Sequence, residues 1–187
     1  MKNTDWVPNQ APCPLQKTSV TEVVIMRGIP GSGKSTQCGK EVEDRLRRGR
    51  NVRICSSDFF HMDAGGNYNW KPENATAGHI HCFNDFLDGL ACGDFGSLFV
   101  DNTNTTRWEM QPYVQLARAY QVPDIKVIEL DTPLHVCQER CQHGVPPKTI
   151  AQMHARIRKT ENEPMVDDVV KYYITGGMTD EVIGMRK

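Results

Sequence analysis

"GIPGSGKST", residues 28–36, follows the apolar run "EVVIM" (22–26) and leads directly into "KSTQCGKEVEDRLRRG" (34–49). Gly28, Gly33, Lys34 and Ser35 satisfy the pattern G-x-x-x-x-G-K-[ST]. Glycines allow successive backbone N–H groups to turn inward around a phosphate, and a helix starting at Lys34 adds the positive end of its dipole. The pattern assigns Gly28, Pro30, Gly31, Ser32 and Gly33 to the cradle. It assigns Lys34 to the β- and γ-phosphates of ATP, Ser35 to Mg²⁺, and Thr36 to the loop or the α-phosphate. A buried-type strand before the loop and a helix after it separate this reading from a chance glycine-rich turn.

Working outward, strands and helices alternate. "NVRIC" reads as a second strand, "HMDAGGNYNWKP" as a loop, and Pro72 to Cys92 as a helix with proline in its first turn. "SLFV" is a third strand, "TRWEMQPYVQLARAY" a helix, "IKVIEL" a fourth strand and "PLHVCQERC" a short helix. "QHGVPPK" interrupts before the helix "TIAQMHARIRKT". This alternation predicts an α/β fold, a parallel sheet with helices on both faces. Ligands of such sheets lie beyond the carboxyl ends of the strands. "GIPGSGKST", "SSDFFH" and "DNTN" all fall there. Pro8, Pro12 and Pro14 among polar residues predict a flexible tail over 1–20, which leaves 21–187 as one domain.

The formal net charge of −1 argues against an extended surface that wraps nucleic acid. No stretch approaches the roughly 20 apolar residues of a membrane span, so no membrane partner is expected. Seven irregularly spaced cysteines and the polar start "MKNTDWVPNQ" predict reduced thiols in a cytoplasmic protein. His135, Cys137, Cys141 and His143 do not match a common zinc-finger spacing, and alternation of core and surface helix residues accounts for them. The sequence carries no signature of a particular oligomeric state.

The loop does not name the acceptor. An N-K-x-D base-reading motif, expected of a GTPase, does not occur, and a proline- and glycine-flanked segment late in a short chain suits a kinase with a closing lid. Asp58, after the second strand, is placed to take the proton from an acceptor hydroxyl, or else to cap a helix. Asp101, at the end of "SLFV", is placed to hold a magnesium-bound water or to orient an arginine. Asn102, Thr103 and Asn104 suit hydrogen bonding to substrate or a turn and cap. Arg140 is the candidate lid cation, with Arg156 and Arg158 in reserve. Tyr68 and Trp70 either stack a base or anchor their loop.

Taken together, "GIPGSGKST", "SSDFF", "GNYNW.PE", "VDNTNTTRWEMQPY" and "ER.QHGVP...I..M..R" resemble the kinase domain of polynucleotide 5′-hydroxyl kinases. They resemble more closely the AAA-type P-loop kinases related to it, over about residues 22–160. The resemblance implies an adenylate-kinase-like fold with a five-stranded parallel sheet and a lid, and ATP-dependent transfer to a hydroxyl, typically a 5′-OH of DNA or RNA. It matches Lys34 and Ser35 to the phosphate and magnesium positions, Asp58 to the general base and Arg140 to the first lid arginine. A shift of one would put Ser57 at the base position, but the ten-residue step to Tyr68 favours Asp58. His61 stands where the family has a phosphate-contacting arginine, and "CQHGVPPK" has no clear second lid arginine.

Three readings follow. The first is a polynucleotide 5′-hydroxyl kinase. The second, favoured by the near-neutral charge, is a kinase of a nucleoside, a hydroxymethylated base or a small metabolite. The third is an ATP-binding interaction module without turnover, which the set Lys34, Ser35, Asp58 and Arg140 argues against.

Overall fold

The computed structural model describes residues 17–141, 144–160 and 170–174. The chain alternates β1 (Glu22–Arg27), α1 (Lys34–Arg47), β2 (Val52–Cys55), α2 (Ala75–Cys92), β3 (Ser97–Asp101), α3 (Arg107–Ala119), β4 (Asp124–Leu130), α4 (Leu134–Arg140), α5 (Pro147–Thr160) and β5 (Val170–Ile174). Two 3-10 turns, Ser57–His61 and Pro72–Asn74, stand between β2 and α2. Pro72 therefore opens a 3-10 turn rather than α2 itself.

The four strands legible in the sequence form the body of a parallel sheet, β2-β3-β1-β4. β5 lies parallel along β4 as an edge strand and completes the order β2-β3-β1-β4-β5. Of the tail expected over 1–20, residues 1–16 lie outside the described residues. Val20 is buried, and the Ser19 hydroxyl donates to the Gly93 carbonyl at 2.6 Å.

Every residue of β1 is buried, and its alternate side chains serve two cores. Val23 and Ile25 pack with Phe86 and Leu90 of α2 and Met110 and Val114 of α3. Val24 and Met26 pack with Cys38 of α1 and with Phe99 and Ile128. The middle of a strand buried on both faces has no solvent side to make polar, which is why "VVIM" reads as a continuous run rather than an alternation. A third cluster joins Ile29 of the glycine-rich loop to Cys137 of α4 and to Ile150 and Ile157 of α5.

The chain leaves β1 toward β2 on one side and leaves β3 toward β4 on the other, so the strand order reverses between β1 and β3. Such a switch point opens a crevice at the carboxyl edge. Met26 and Asp101 are register partners there. Buried bonds hold that edge together. Arg27, 1% exposed, donates from Nη1 to Glu129 Oε2 (2.8 Å), from Nε to the Asn104 carbonyl (3.0 Å) and from Nη2 to the Thr105 carbonyl (3.1 Å). In return Asn104 Nδ2 donates to the Met26 carbonyl at 2.7 Å, and the Gly28 N–H to the Thr103 carbonyl at 3.0 Å.

The opposite edge of the sheet is closed by Glu22. Its carboxylate accepts from Arg45 Nη2 (2.9 Å), Lys126 Nζ (2.9 Å) and Ser97 Oγ (3.0 Å). Burial alone would raise its pKa, but the bonds and charges of Arg45 and Lys126 outweigh burial and hold it at about 2, below the ordinary 4.5.

A lowered folded-state pKa means that the Glu22 contribution is complete above about pH 4.5 and is lost as pH falls toward 2. Glu22→Gln should lose about 2–4 kcal/mol at neutral pH, and its deficit against the parent protein should vanish by about pH 2 in a pH series of thermal melts. Arg27→Met should lose about 3–5 kcal/mol by removing the guanidinium that the buried Glu129 carboxylate faces. Denaturant unfolding checks this, and Arg27→Met combined with Glu129→Leu should recover part of the loss.

Candidate active site

The loop after β1 takes its shape from backbone conformations that side chains disfavour. Gly33, at φ 91°, caps α1 in the left-handed region, which turns Lys34, Ser35 and Thr36 into the first helical turn. Gly31, at φ 80°, lies so close to α4 that a Cβ there would sit 2.1 Å from the Cys137 carbonyl oxygen. Glycine at 31 thus permits both the turn and the contact with α4. Gly28 sits at the start of the loop, Pro30 is half-buried, and the Ser32 carbonyl accepts from the Thr132 hydroxyl at 2.9 Å.

Asp101 lies at the centre. The residue is half-buried, but its Oδ1 is enclosed. Burial and, less strongly, the charge of Asp58 push its pKa up, while Lys34 and a hydrogen bond from Ser35 pull it down. Lys34, Ser35 and Asp58 therefore all lie near enough to Asp101 to act on its carboxylate. Among the described residues, two buried side-chain oxygens have no hydrogen-bond partner, Asp101 Oδ1 and Ser32 Oγ. Both belong to this crevice, and a buried oxygen without a partner is costly unless a ligand completes it. Ser35 and Asp101 are oxygen donors of the kind magnesium takes, with nucleotide phosphates supplying further oxygens, so the residues present fit the ion.

Asp58 sits in the 3-10 turn Ser57–His61, and the helix-capping role belongs instead to Ser56, whose Oγ accepts from the Asp58 N–H at 3.3 Å. The same Ser56 hydroxyl donates to the Asp101 carbonyl at 2.8 Å, tying the ends of β2 and β3 together. Ser57 is engaged elsewhere, with its N–H and its hydroxyl both donating to Asn102 Oδ1 at 2.9 Å. Tyr68 donates its hydroxyl to Asp58 Oδ1 at 3.0 Å, and burial with the Asp58 charge raises the phenol's pKa. Tyr68 thus ties its hydroxyl to Asp58, with its ring edge-on to that of His61 at 6.1 Å.

The other expected substrate residues divide. Trp70 is half exposed, with its ring centroid 6.4 Å from that of His61. His61 itself is 6% exposed, packed edge-on against Phe60 and beside Gly78, where a Cβ would meet its Nε2 at 2.7 Å. It has little surface to offer a phosphate. Asn102 and Asn104 are buried, and their bonds run to Ser57, Cys82 and Met26. Asn104 adopts φ 46°, which asparagine tolerates better than most residues.

Arg140 is exposed at the end of α4, and its charge is felt at Cys137, the residue that touches Gly31. Arg158 pairs with Asp131, and Arg156 is exposed on α5. Of the lid segment and the His/Cys group, Gln142 and His143 lie outside the described residues. Cys137 is buried, with its thiol against the Thr132 carbonyl at 3.5 Å.

Arg27, Glu129, Ser56 and Cys82 are not among the residues expected from the sequence. The one signal for the first pair was a charged residue at the last position of β1 and the last but one of β4, and the register sets Arg27 opposite Glu129.

Comparison with known proteins agrees with this geometry. The APS kinase CysC of Mycobacterium tuberculosis, solved with AMPPNP and APS, superposes with a TM-score of 0.55 at 17% identity, over 89% of this chain and 92% of that one. An unliganded sugar kinase from Janibacter sp. HTCC2649 gives a TM-score of 0.51 at 18% identity, over 83% and 85%. At these identities the likeness is one of fold alone, a parallel α/β sheet flanked by helices. Human NEDD4-binding protein 2 is 27% identical over 151 residues, which are 77% of this chain but only 8% of that protein's length. A family model described as AAA domain matches residues 23–160, most of the chain and all of the site, and the chain belongs to that family.

Proposed function

We propose that the chain transfers the γ-phosphoryl group of ATP to a hydroxyl, with the 5′-OH of a polynucleotide as the first acceptor. The observation that carries the reading is the placement of Asp58 beside the end of β3, where Ser56 accepts from the Asp58 N–H and donates to the Asp101 carbonyl. A phosphate loop alone serves hydrolysis as well as transfer. A second carboxylate across the crevice, held by Tyr68, adds a base for an incoming hydroxyl. Magnesium, when bound, neutralises charge on the β- and γ-phosphate oxygens. Lys34 and the loop N–H groups orient the phosphates, Asp58 accepts the hydroxyl proton, and Asp101 with Ser35 holds the metal. The acceptor oxygen forms its bond to γ-phosphorus as the β–γ bridge breaks, and ADP leaves with the bridging oxygen. Arg140 is the cation for the developing charge.

The polynucleotide acceptor is favoured by the motif resemblance over residues 22–160. It also fits the open character of the acceptor side, where Phe59, Phe60, Met62 and Trp70 are exposed next to Asp58. The formal charge of −1 favours the second reading, a nucleoside, hydroxymethylated base or small metabolite. Free cysteines and the lack of a membrane-spanning helix among the described residues fit a cytoplasmic setting for either.

The test is transfer from γ-labelled ATP to 5′-OH DNA and RNA, hydroxymethylated DNA and free nucleosides. Label on oligonucleotide 5′ ends supports the first reading, and label only on another acceptor replaces it with the second. Lys34→Ala should abolish transfer. Asp58→Asn should lower kcat by about 10²–10⁴-fold with little effect on the KM for ATP, and an unchanged kcat would remove Asp58 from the role of base. Arg140→Ala should slow single-turnover transfer by about 10³-fold or more. A loss under about tenfold would make it a surface residue.

A further inference from the structure

Between α2 and α3, directly beside the Asp58 turn, lies a groove of about 530 Å³. That is within the range of small-ligand clefts, about 300–1,000 Å³. Ile80 and Phe83 of α2 form one wall and Trp108 and Pro112 of α3 the other, and Asn102 reaches its inner end. Trp108 is 78% exposed and Ile80 57%, the two most exposed large apolar side chains among the described residues. A tryptophan left this open forgoes the burial that its size makes favourable.

Two features limit what the groove can hold. The first is charge. Among the described residues no lysine or arginine lines it, and its carboxylate, Glu109, is occupied by the Thr106 N–H at 3.0 Å and the Thr105 hydroxyl at 3.2 Å. A phosphate would enter next to a negative charge with only His79 as a basic neighbour, whereas an uncharged planar ring meets apolar walls and a π-face. The second is continuity with the catalytic crevice. Asn102, at the inner end, accepts through Oδ1 both hydrogen bonds from Ser57, the neighbour of Asp58. A ligand seated against Asn102 therefore stands one residue from the proposed base.

We infer that this groove binds an uncharged heterocyclic ring of the acceptor by stacking on Trp108, so that Trp108 selects acceptors whose reactive hydroxyl is carried on a nucleobase-bearing sugar. The inference rests on the hydroxyl-kinase reading and names the part of the acceptor that is gripped. It explains how a chain of formal charge −1 holds such a substrate, since stacking needs no cationic surface. Exposure of Trp108 makes its replacement compatible with folding, because the side chain supports little of the core.

The experiment compares the full-length protein with Trp108→Ala and Trp108→Phe on paired oligonucleotides, one with an ordinary 5′-terminal nucleotide and one with an abasic 5′-terminal sugar. Trp108→Ala should raise KM for the base-bearing acceptor about 5- to 100-fold with a smaller change in kcat. The abasic acceptor should show no such difference, and Trp108→Phe should restore most of the loss. Equal effects on both acceptors, or none, would overturn the inference while leaving the kinase reading intact. So would a lowered Tm or an altered oligomeric state with acceptor KM untouched, since the groove would then belong to the chain itself or to a second copy. If no acceptor is labelled, the kinase reading fails separately. Fluorescence anisotropy of the same oligonucleotides on Lys34→Ala, with and without Trp108→Ala, still decides the groove. A Trp108-dependent Kd that appears only with the terminal base upholds it, and an independent one overturns it.

Discussion

The guanidinium of Arg27 is withdrawn from water at the end of β1, paired with Glu129 and bonded to the carbonyls of Asn104 and Thr105. A buried charge of this kind persists only where its partners are fixed, and the constraint acts in both directions. It requires β4 to lie in register beside β1, and it requires the turn after β3 to fold back over β1. Asn104 and Gly28 return hydrogen bonds across the same seam. The phosphate loop leaves β1 one residue beyond Arg27, and Asp101 ends β3 just before the turn that Arg27 holds. The spacing between loop and carboxylate is therefore set by a polar knot below the site rather than by the site's own contacts.

Above that knot the crevice is made of groups in tension. Burial and Asp58 oppose the ionisation of Asp101, Lys34 and Ser35 favour it, and two enclosed oxygens stay unpaired. The proposed binding of a nucleotide and a metal would complete these electrostatics. The acceptor side follows a different physics. Ser56, Ser57, Asn102 and Tyr68 spend their hydrogen bonds on fixing the Asp58 turn and the ends of β2 and β3. The surface left open to an acceptor is aromatic and aliphatic, from Phe59 and Trp70 to Ile80 and Trp108.

His61 shows how a correct motif can still mislead about a side chain. The motif resemblance sets it at a phosphate-contacting position, and the sequence expectation made it a substrate contact. The missing side chain of Gly78 opens a recess on α2, and the imidazole fills it instead of facing outward. The two asparagines bond to partners far off in sequence, Asn102 to Ser57 and Asn104 to the Met26 carbonyl, and Tyr68 bonds to Asp58 ten residues before it.

The sequence by itself determined the strand and helix alternation, the four-strand body of the sheet and the phosphate loop. Those features depend on local periodicity and on residues adjacent in the chain, such as Gly33 with Lys34 and Ser35. Only the tertiary structure decided which polar residues face the crevice and which brace it. Arg27 and Glu129 are 102 residues apart, and Ser57 and Asn102 are 45 apart. Their pairings follow from sheet register and from the cost of burying an unpaired polar group. The Trp108 groove likewise exists only because α2 and α3 pack side by side on the same face of the sheet. A tryptophan read along the chain does not reveal whether a neighbouring helix covers it or leaves it open.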